Sequence, residues 1–325
     1  SQRNGSPASH EIHNTIKIDQ HFMKHVLILI ITILAAGCAT QFDPKIDRNA
    51  AMFFTSRVEH DVVYRTVDGK DQLLNLYLPD NFIGKDPWFI NDGKGKKPTL
   101  LHIHGGGWVE GSKDQIVLNL LPYIFRDWVV ISINYRLADE AKAPAAVDDC
   151  LAALQWVHNN AEKYDIDTNR IVLSGGSAGG HLALLTGMLK EGDLLCEGKL
   201  IARDAGDVAA IVNWYGVADF EINPHPMEWF GGGIDLNEYV KTLSPINYVR
   251  KGGPPVLTVH GTLDEAVPVK QAVDLHEKLR EAGIHEQLVL IQNKKHGDFS
   301  AEELTEIYQK IWKFLESAGV KTNVD

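Results

Sequence analysis

The hydrophobic rhythm of the chain changes three times. Residues 1–22 are polar and aperiodic, and Met23-Lys24-His25 then opens an apolar run, Val26 to Leu34, broken only by Thr32. Small residues, Ala35-Ala36-Gly37, lead into Cys38, and residues 39–60 return to a mostly polar stretch with one apolar patch at 50–54. Val62–Val67 and Leu73–Leu78 read as strands; Asp68-Gly69-Lys70-Asp71 between them has turn chemistry, which predicts an antiparallel hairpin. From Thr99 onward, apolar strands at 100–104, 129–134, 171–174, 209–214, 256–260 and 287–291 alternate with helical patterning, clearest at 145–163, 178–189, 269–282 and 302–317. Near-continuous apolar strands separated by helices predict a parallel sheet buried on both faces, with the hairpin as its antiparallel edge. The expected class is α/β.

One stretch breaks this alternation. Residues 217–250 are rich in Pro, Gly and aromatics, including Pro224, Pro226, Trp229, Phe230 and Gly231-Gly232-Gly233. An insertion after a strand's carboxyl end lies over the crevice where open sheets bind ligands, so 217–250 reads either as a small cap or as a surface excursion.

Composition narrows the classes. With 32 Lys+Arg against 43 Asp+Glu in 325 residues, the net charge is −11, the wrong sign for neutralising nucleic-acid phosphates. Three cysteines in a chain of this length make no disulfide scaffold and show no zinc-ligand spacing; Cys150 reads as a buried helix thiol and Cys196 as a loop residue. The segment 23–37 has the basic start, short apolar core and small-residue end of a signal peptide, and its core is too short to span a bilayer. It is apolar all round, where a core helix would be amphipathic. Small residues directly before Cys38 resemble a bacterial lipobox, although Leu34 stands one place earlier than usual. The expected organisation is an upstream extension 1–22, a lipoprotein-type signal peptide 23–37, lipidation at Cys38, a tether 38–60 and one domain 61–325. Membrane contact would then come only through the anchor, in the periplasm or cell envelope.

The chemistry centres on Gly175-Gly176-Ser177-Ala178-Gly179, which holds Gly-x-Ser-x-Gly between an apolar strand and a helix. A strand-to-helix elbow strains the nucleophile's backbone, needs small flanking residues and aims the first helical N–H groups at a developing oxyanion. Ser177 is the expected nucleophile. His104-Gly105-Gly106-Gly107-Trp108 ends the strand beginning at Leu100, and consecutive glycines let backbone amides turn toward a tetrahedral intermediate. Gly106, Gly107 and Ala178 are the expected oxyanion donors. Gly107–Lys113 echoes a phosphate-binding loop but reads Gly-Ser-Lys, so no nucleotide site is assigned. His102 and His104 alternate along one strand, yet no third ligand stands at metal spacing; both read as structural, and no metal is expected.

A serine hydroxyl needs a base, and the base an orienting acid. Asp264 follows the strand at Val256, within His260-Gly261-Thr262-Leu263-Asp264-Glu265, and His296 follows the strand at Gln287. Glu265 is a rival acid and Asp298 a weaker one. The order Ser177, Asp264, His296 is that of α/β-hydrolases.

With these residues in view, the chain resembles α/β-hydrolase esterases in the neighbourhood of the hormone-sensitive-lipase-like enzymes, and most closely the bacterial bifunctional acetylxylan/feruloyl esterases. The matching stretches are His104–Gly111, Ile131–Leu137, Gly175–Ala183, Ser244–Tyr248, His260–Pro268 and His296-Gly297. Asn134 stands where the hormone-sensitive-lipase-like pattern has Asp, and Asp139 where it has Pro; that family's large N-terminal cap has no counterpart in the short tether. The resemblance implies an α/β-hydrolase fold and hydrolysis of small-molecule or polysaccharide-linked carboxylic esters, such as acetyl or feruloyl groups on plant polysaccharides, without metal or organic cofactor. Trp108, Trp214, Trp229 and Phe230 are candidates for the acyl pocket. Formamidases and some serine peptidases share the elbow, so amides remain open as substrates. The rival from another class is a lipid-anchored glycan-binding protein on an inactive hydrolase fold, against which the complete nucleophile, base and acid argue.

Expressed in a bacterial host, the mature protein should begin at an acylated Cys38. Mass spectrometry finding an unmodified peptide across Gly37-Cys38 would refute the lipoprotein assignment.

Overall fold

A computed structural model of the chain describes residues 57–79, 95–115, 117–195, 199–200, 205–222 and 226–321. The upstream extension, the signal peptide, Cys38 and most of the tether lie outside these residues, as do Pro224 and Cys196. The strands are β1 (Arg57–Val67), β2 (Lys70–Leu78), β3 (Lys97–Ile103), β4 (Val129–Ile133), β5 (Ile166–Gly176), β6 (Leu194–Leu195), β7 (Lys199–Leu200), β8 (Ala210–Trp214), β9 (Val256–Gly261) and β10 (Glu286–Ile291). Among the helices are α1 (Val117–Ile124), α2 (Ala145–Asn159), α3 (Ala178–Met188), α4 (Met227–Phe230), α5 (Leu236–Leu243), α6 (Lys270–Glu281) and α7 (Ala301–Ser317), with a 3-10 turn at Pro245–Tyr248.

Eight strands form one sheet in the order β1-β2-β4-β3-β5-β8-β9-β10, and β6 and β7 make a separate small hairpin. Every pairing from β4 to β10 is parallel; β1–β2 and β2–β4 are antiparallel. Alternate side chains enter two cores. Leu101, Ile131 and Leu173 face α2, α3 and α6 through residues such as Val147, Leu182 and Leu275. Leu100, Val130 and Val172 face α1 and α7 through Leu120, Ile311 and Phe314. Burial on both faces explains why these strands carry little polar alternation. The expected α/β-hydrolase architecture, antiparallel hairpin included, is the one observed.

Several boundaries differ: β5 starts at Ile166 where the strand was expected from Ile171, and α2 ends at Asn159 where the helix was expected to reach Lys163. β1 starts at Arg57, inside the stretch read as tether, because Arg57 pairs with Leu78 and the ladder continues to the end of its partner. The hairpin turn shrinks to Asp68-Gly69, with φ of 50° and 77°, the doubled left-handed geometry whose twist suits a two-residue connection. Helix α1 was not expected, since it is short and contains Pro122. The 217–250 insertion holds α4, α5 and the 3-10 turn between β8 and β9. Asp235 caps α5 by accepting from the amides of Asn237 (3.0 Å) and Glu238 (3.3 Å).

The edge hairpin is tied to the body through a buried carboxylate. Asp149 on α2 accepts from Arg136 Nε (2.8 Å), Nη2 (2.9 Å) and backbone N (2.9 Å), and from Arg65 Nη1 of β1 (2.9 Å). Its side chain is 0% exposed, and removing it leaves the Arg136 guanidinium without its carboxylate partner, while Arg65 keeps Asp148 at 3.0 Å. Asp149→Ala should therefore cost about 3–5 kcal/mol in urea unfolding, the range for breaking a buried pair from one side. A loss below about 1 kcal/mol, the value of an exposed pair, would contradict this.

Candidate active site

Parallel pairing brings the chemistry-bearing loops to the carboxyl rim of the sheet. Ile103 stands opposite Gly175 and Gly176 opposite Trp214, so the ends of β3, β5 and β8 lie level. Ser177 follows β5 directly, with φ 55° and ψ −120°, and caps α3. That conformation is strained for a residue with a Cβ. The flanking glycines show what holds it. A Cβ on Gly179 would lie 2.1 Å from the Ile103 carbonyl oxygen, and one on Gly175 would lie 2.4 Å from the Gly179 backbone, so α3 packs down on β3 without side chains between them. The Ser177 N–H donates to the Trp214 carbonyl (2.9 Å) and its carbonyl accepts from His181 N (3.0 Å).

The glycine loop after β3 folds over this elbow. A Cβ on Gly105 would meet the Gly176 carbonyl oxygen at 2.8 Å and the Ser177 Cβ at 3.7 Å. Gly106, Gly107 and Trp108 then take φ of 114°, 59° and 62°, three left-handed residues in succession. The turn closes through the Gly106 carbonyl, which accepts from Val109 N and Glu110 N at 3.0 Å. Among the described residues, no hydrogen bond takes up the amides of Gly106, Gly107 or Ala178.

The loops after β9 and β10 are zipped together. Thr262 N donates to Ile291 O (3.0 Å), Leu263 N to Lys294 O (2.8 Å) and Asn293 N to the Thr262 hydroxyl (2.9 Å). This sets Asp264 Oδ2 at 2.7 Å from His296 Nδ1. Asp264 Oδ1 accepts from Ala266 N (3.0 Å) and Val267 N (2.9 Å), while buried His260 brings Nε2 to 3.3 Å from Oδ2 and 2.8 Å from the Val267 carbonyl. Burial pushes the Asp264 carboxyl up, but the hydrogen bonds from His260, His296 and Val267 outweigh it and hold the group well below the usual carboxylate range. Glu265 and Asp298 are exposed. The imidazole of His296 remains partly open to solvent.

Tyr215, which sequence reasoning missed, stands between the elbow and His296. It takes φ 43° directly after β8, its ring meets that of His296 edge-on at 4.7 Å, and its hydroxyl would lie 3.3 Å from a Cβ on Gly176 and 2.8 Å from one on Gly297. The signal available was an aromatic residue at a strand's carboxyl end.

The four aromatic pocket candidates separate. Trp108, Trp229 and Phe230 share one buried cluster with Phe220, with Trp108 stacked on Trp229 at 4.8 Å. Trp214 packs elsewhere, against Phe299 and Tyr308, because its strand position faces the opposite core. Three histidines are buried near the elbow. Burial lowers His102 to about 3, aided by neighbouring His104, and lowers His104 and His181 to about 4. His104 braces the glycine loop, stacking on Tyr135 at 4.3 Å with its Nδ1 2.7 Å from the Gly105 carbonyl. Cys150 is a buried free thiol.

The family model described as BD-FAE matches residues 86–279. Esterase LipC of Mycobacterium tuberculosis is 34% identical over 63% of this chain and 54% of its own. The chain spans about half the length of the curated relatives it matches first. Among solved structures, a truncated carbohydrate esterase from gut microbiota is 27% identical with a TM-score of 0.68, over 82% of this chain and 98% of that one. Thermogutta terrifontis esterase 2, phosphorylated by paraoxon, is 25% identical with a TM-score of 0.66, over 81% of this chain and 95% of that one.

The buried histidines give a pH signature. Their folded pKa values of about 3, 4 and 4 lie below the unfolded value of about 6.5, so the unfolded chain binds more protons between these limits. Their contribution to stability is full above about pH 6.5 and is lost as the pH falls toward 4, by up to ~1.4 kcal/mol per pH unit for each. Urea midpoints measured across this window should fall steeply, and His102→Leu should flatten the slope; an unchanged slope would refute the assignment.

Proposed function

The chain belongs to the BD-FAE family, and we propose that it is a serine esterase that cleaves carboxylic esters by acyl transfer. The observation that carries this reading is the 2.7 Å His296–Asp264 pair on the rim that also holds Ser177 in its strained elbow. His296, oriented through Nδ1, removes the Ser177 proton as Oγ attacks the ester carbonyl. The amides of Gly106, Gly107 and Ala178 receive the oxyanion. His296 then protonates the leaving alcohol, and water repeats the attack on the acyl-enzyme. Asp264 stays ionised throughout and stabilises the imidazolium; its accepting bonds from two backbone amides free it to do only this.

The substrate reading is acetyl or feruloyl esters of plant polysaccharides. It is supported by the motif resemblance and by the carbohydrate-esterase likeness. Lipidation of Cys38 would hold this activity at the cell envelope. Trp108, Trp229 and Phe230 are buried in one core cluster and Trp214 packs in the opposite core, so none of the four presents a ring to an acyl group; the first three brace the rim from beneath.

Ser177→Ala should lower p-nitrophenyl acetate turnover by several orders of magnitude while leaving the fold intact. Asp264→Asn should cost about 10³–10⁴ in kcat, whereas Glu265→Gln should stay within about twofold. A fluorophosphonate should label the wild type and not Ser177→Ala; an unlabelled wild type overturns the reading. Methyl ferulate, acetylated xylan, longer nitrophenyl esters and formylkynurenine then rank the substrate classes.

A further inference from the structure

We propose that His181 is a positioning residue for the oxyanion loop, a neutral imidazole that holds Trp108, and with it the Gly106 and Gly107 amides, against the 217–250 insertion. The proposal rests on the esterase reading above.

Trp108 directly follows the two donor glycines and itself sits at φ 62°, a conformation an indole-bearing residue keeps only when its surroundings over-determine it. Three restraints do so. Its carbonyl accepts from Ala138 N at 2.9 Å, its ring lies on Trp229 at 4.8 Å with the planes 9° apart, and its Nε1–H donates to His181 Nδ1 at 3.2 Å. The last bond depends on the histidine tautomer. His181 Nε2 lies 2.7 Å from the Leu243 carbonyl, which can only accept, so Nε2 carries the proton and Nδ1 presents a lone pair. An indole N–H can only donate. Each bond therefore specifies the other.

The surroundings preserve that state. His181 is fully buried, with the rings of Trp108, Phe220 and Trp229 around it at 5.2, 5.1 and 5.5 Å. Burial keeps it uncharged at neutral pH. A proton on Nδ1 would turn the acceptor into a donor and break the bond to Trp108. His181 is also four residues beyond the nucleophile, with its N–H on the Ser177 carbonyl, and Leu243 ends α5 of the insertion. One side chain thus joins the nucleophile helix, the glycine loop and the insertion. None of this is visible in sequence, where 73 residues separate the two bonded rings.

The test compares His181→Phe, His181→Asn and Trp108→Phe. Oxyanion donors act on the transition state, so His181→Phe should lower kcat on p-nitrophenyl acetate on the order of 10- to 100-fold with KM within about twofold. Affinity for a trifluoromethyl ketone, which forms an oxyanion on the serine, should fall by the same factor. Asn keeps an acceptor where Nδ1 stood and should recover part of the loss. Trp108→Phe keeps a ring for stacking but lacks the N–H, so it should reproduce the defect, and the His181→Phe/Trp108→Phe double variant should be no worse than either single. Should His181→Phe fail to fold, judged by circular dichroism, Trp108→Phe and His181→Asn decide. Wild-type kcat in the folded variants, or a raised KM with kcat unchanged, overturns the proposal while fluorophosphonate labelling keeps the esterase reading. A wild type that is neither labelled nor active overturns both.

Discussion

A serine carrying φ of 55° is the constraint from which the rest of the rim follows. The backbone there opposes the conformation, so the surroundings have to hold it on every side. Gly179 lets α3 close onto the Ile103 carbonyl, Gly175 lets the helix return over the strand, and the Trp214 carbonyl fixes the serine N–H. Each of these contacts needs β3, β5 and β8 level at their carboxyl ends, which the parallel register supplies. The two cores on either side of the sheet keep those strands in place.

The candidate acid and base, Asp264 and His296, arrive by a different route. They sit on flexible-looking loop sequences, yet the loops after β9 and β10 hydrogen-bond to each other before either reaches the elbow. Asp264 is saturated by backbone amides and two imidazoles, so its orientation does not depend on substrate. The strain at Trp108 continues the same pattern: an unfavourable backbone angle kept in register by side-chain partners drawn from distant parts of the chain.

Much of this was legible in the residue order. Apolar runs of five or six residues found the parallel strands, and the elbow, the glycine loop and the order of Ser177, Asp264 and His296 each carried their own local chemistry. What stayed hidden was what depends on three-dimensional parity or distance. Trp214 is one residue from Asn213, and only strand phase decides which core receives the indole. Tyr215 gains its place beside His296 through a positive φ that no residue type announces. His260 lay inside a recognised motif, but its bond to Asp264 requires the loop to turn back on its own strand. Pro122 concealed α1 by interrupting its pattern.

The antiparallel hairpin also decides where the chain enters its sheet. Because β2 runs against β4, pairing Tyr77 with Val130 and Leu74 with Ile133, the Arg57 end of β1 lies at the amino rim of the parallel strands. The loops bearing Ser177, Asp264 and His296 all leave from the carboxyl rim. The chain therefore enters its sheet at the rim opposite the loops that carry Ser177, Asp264 and His296.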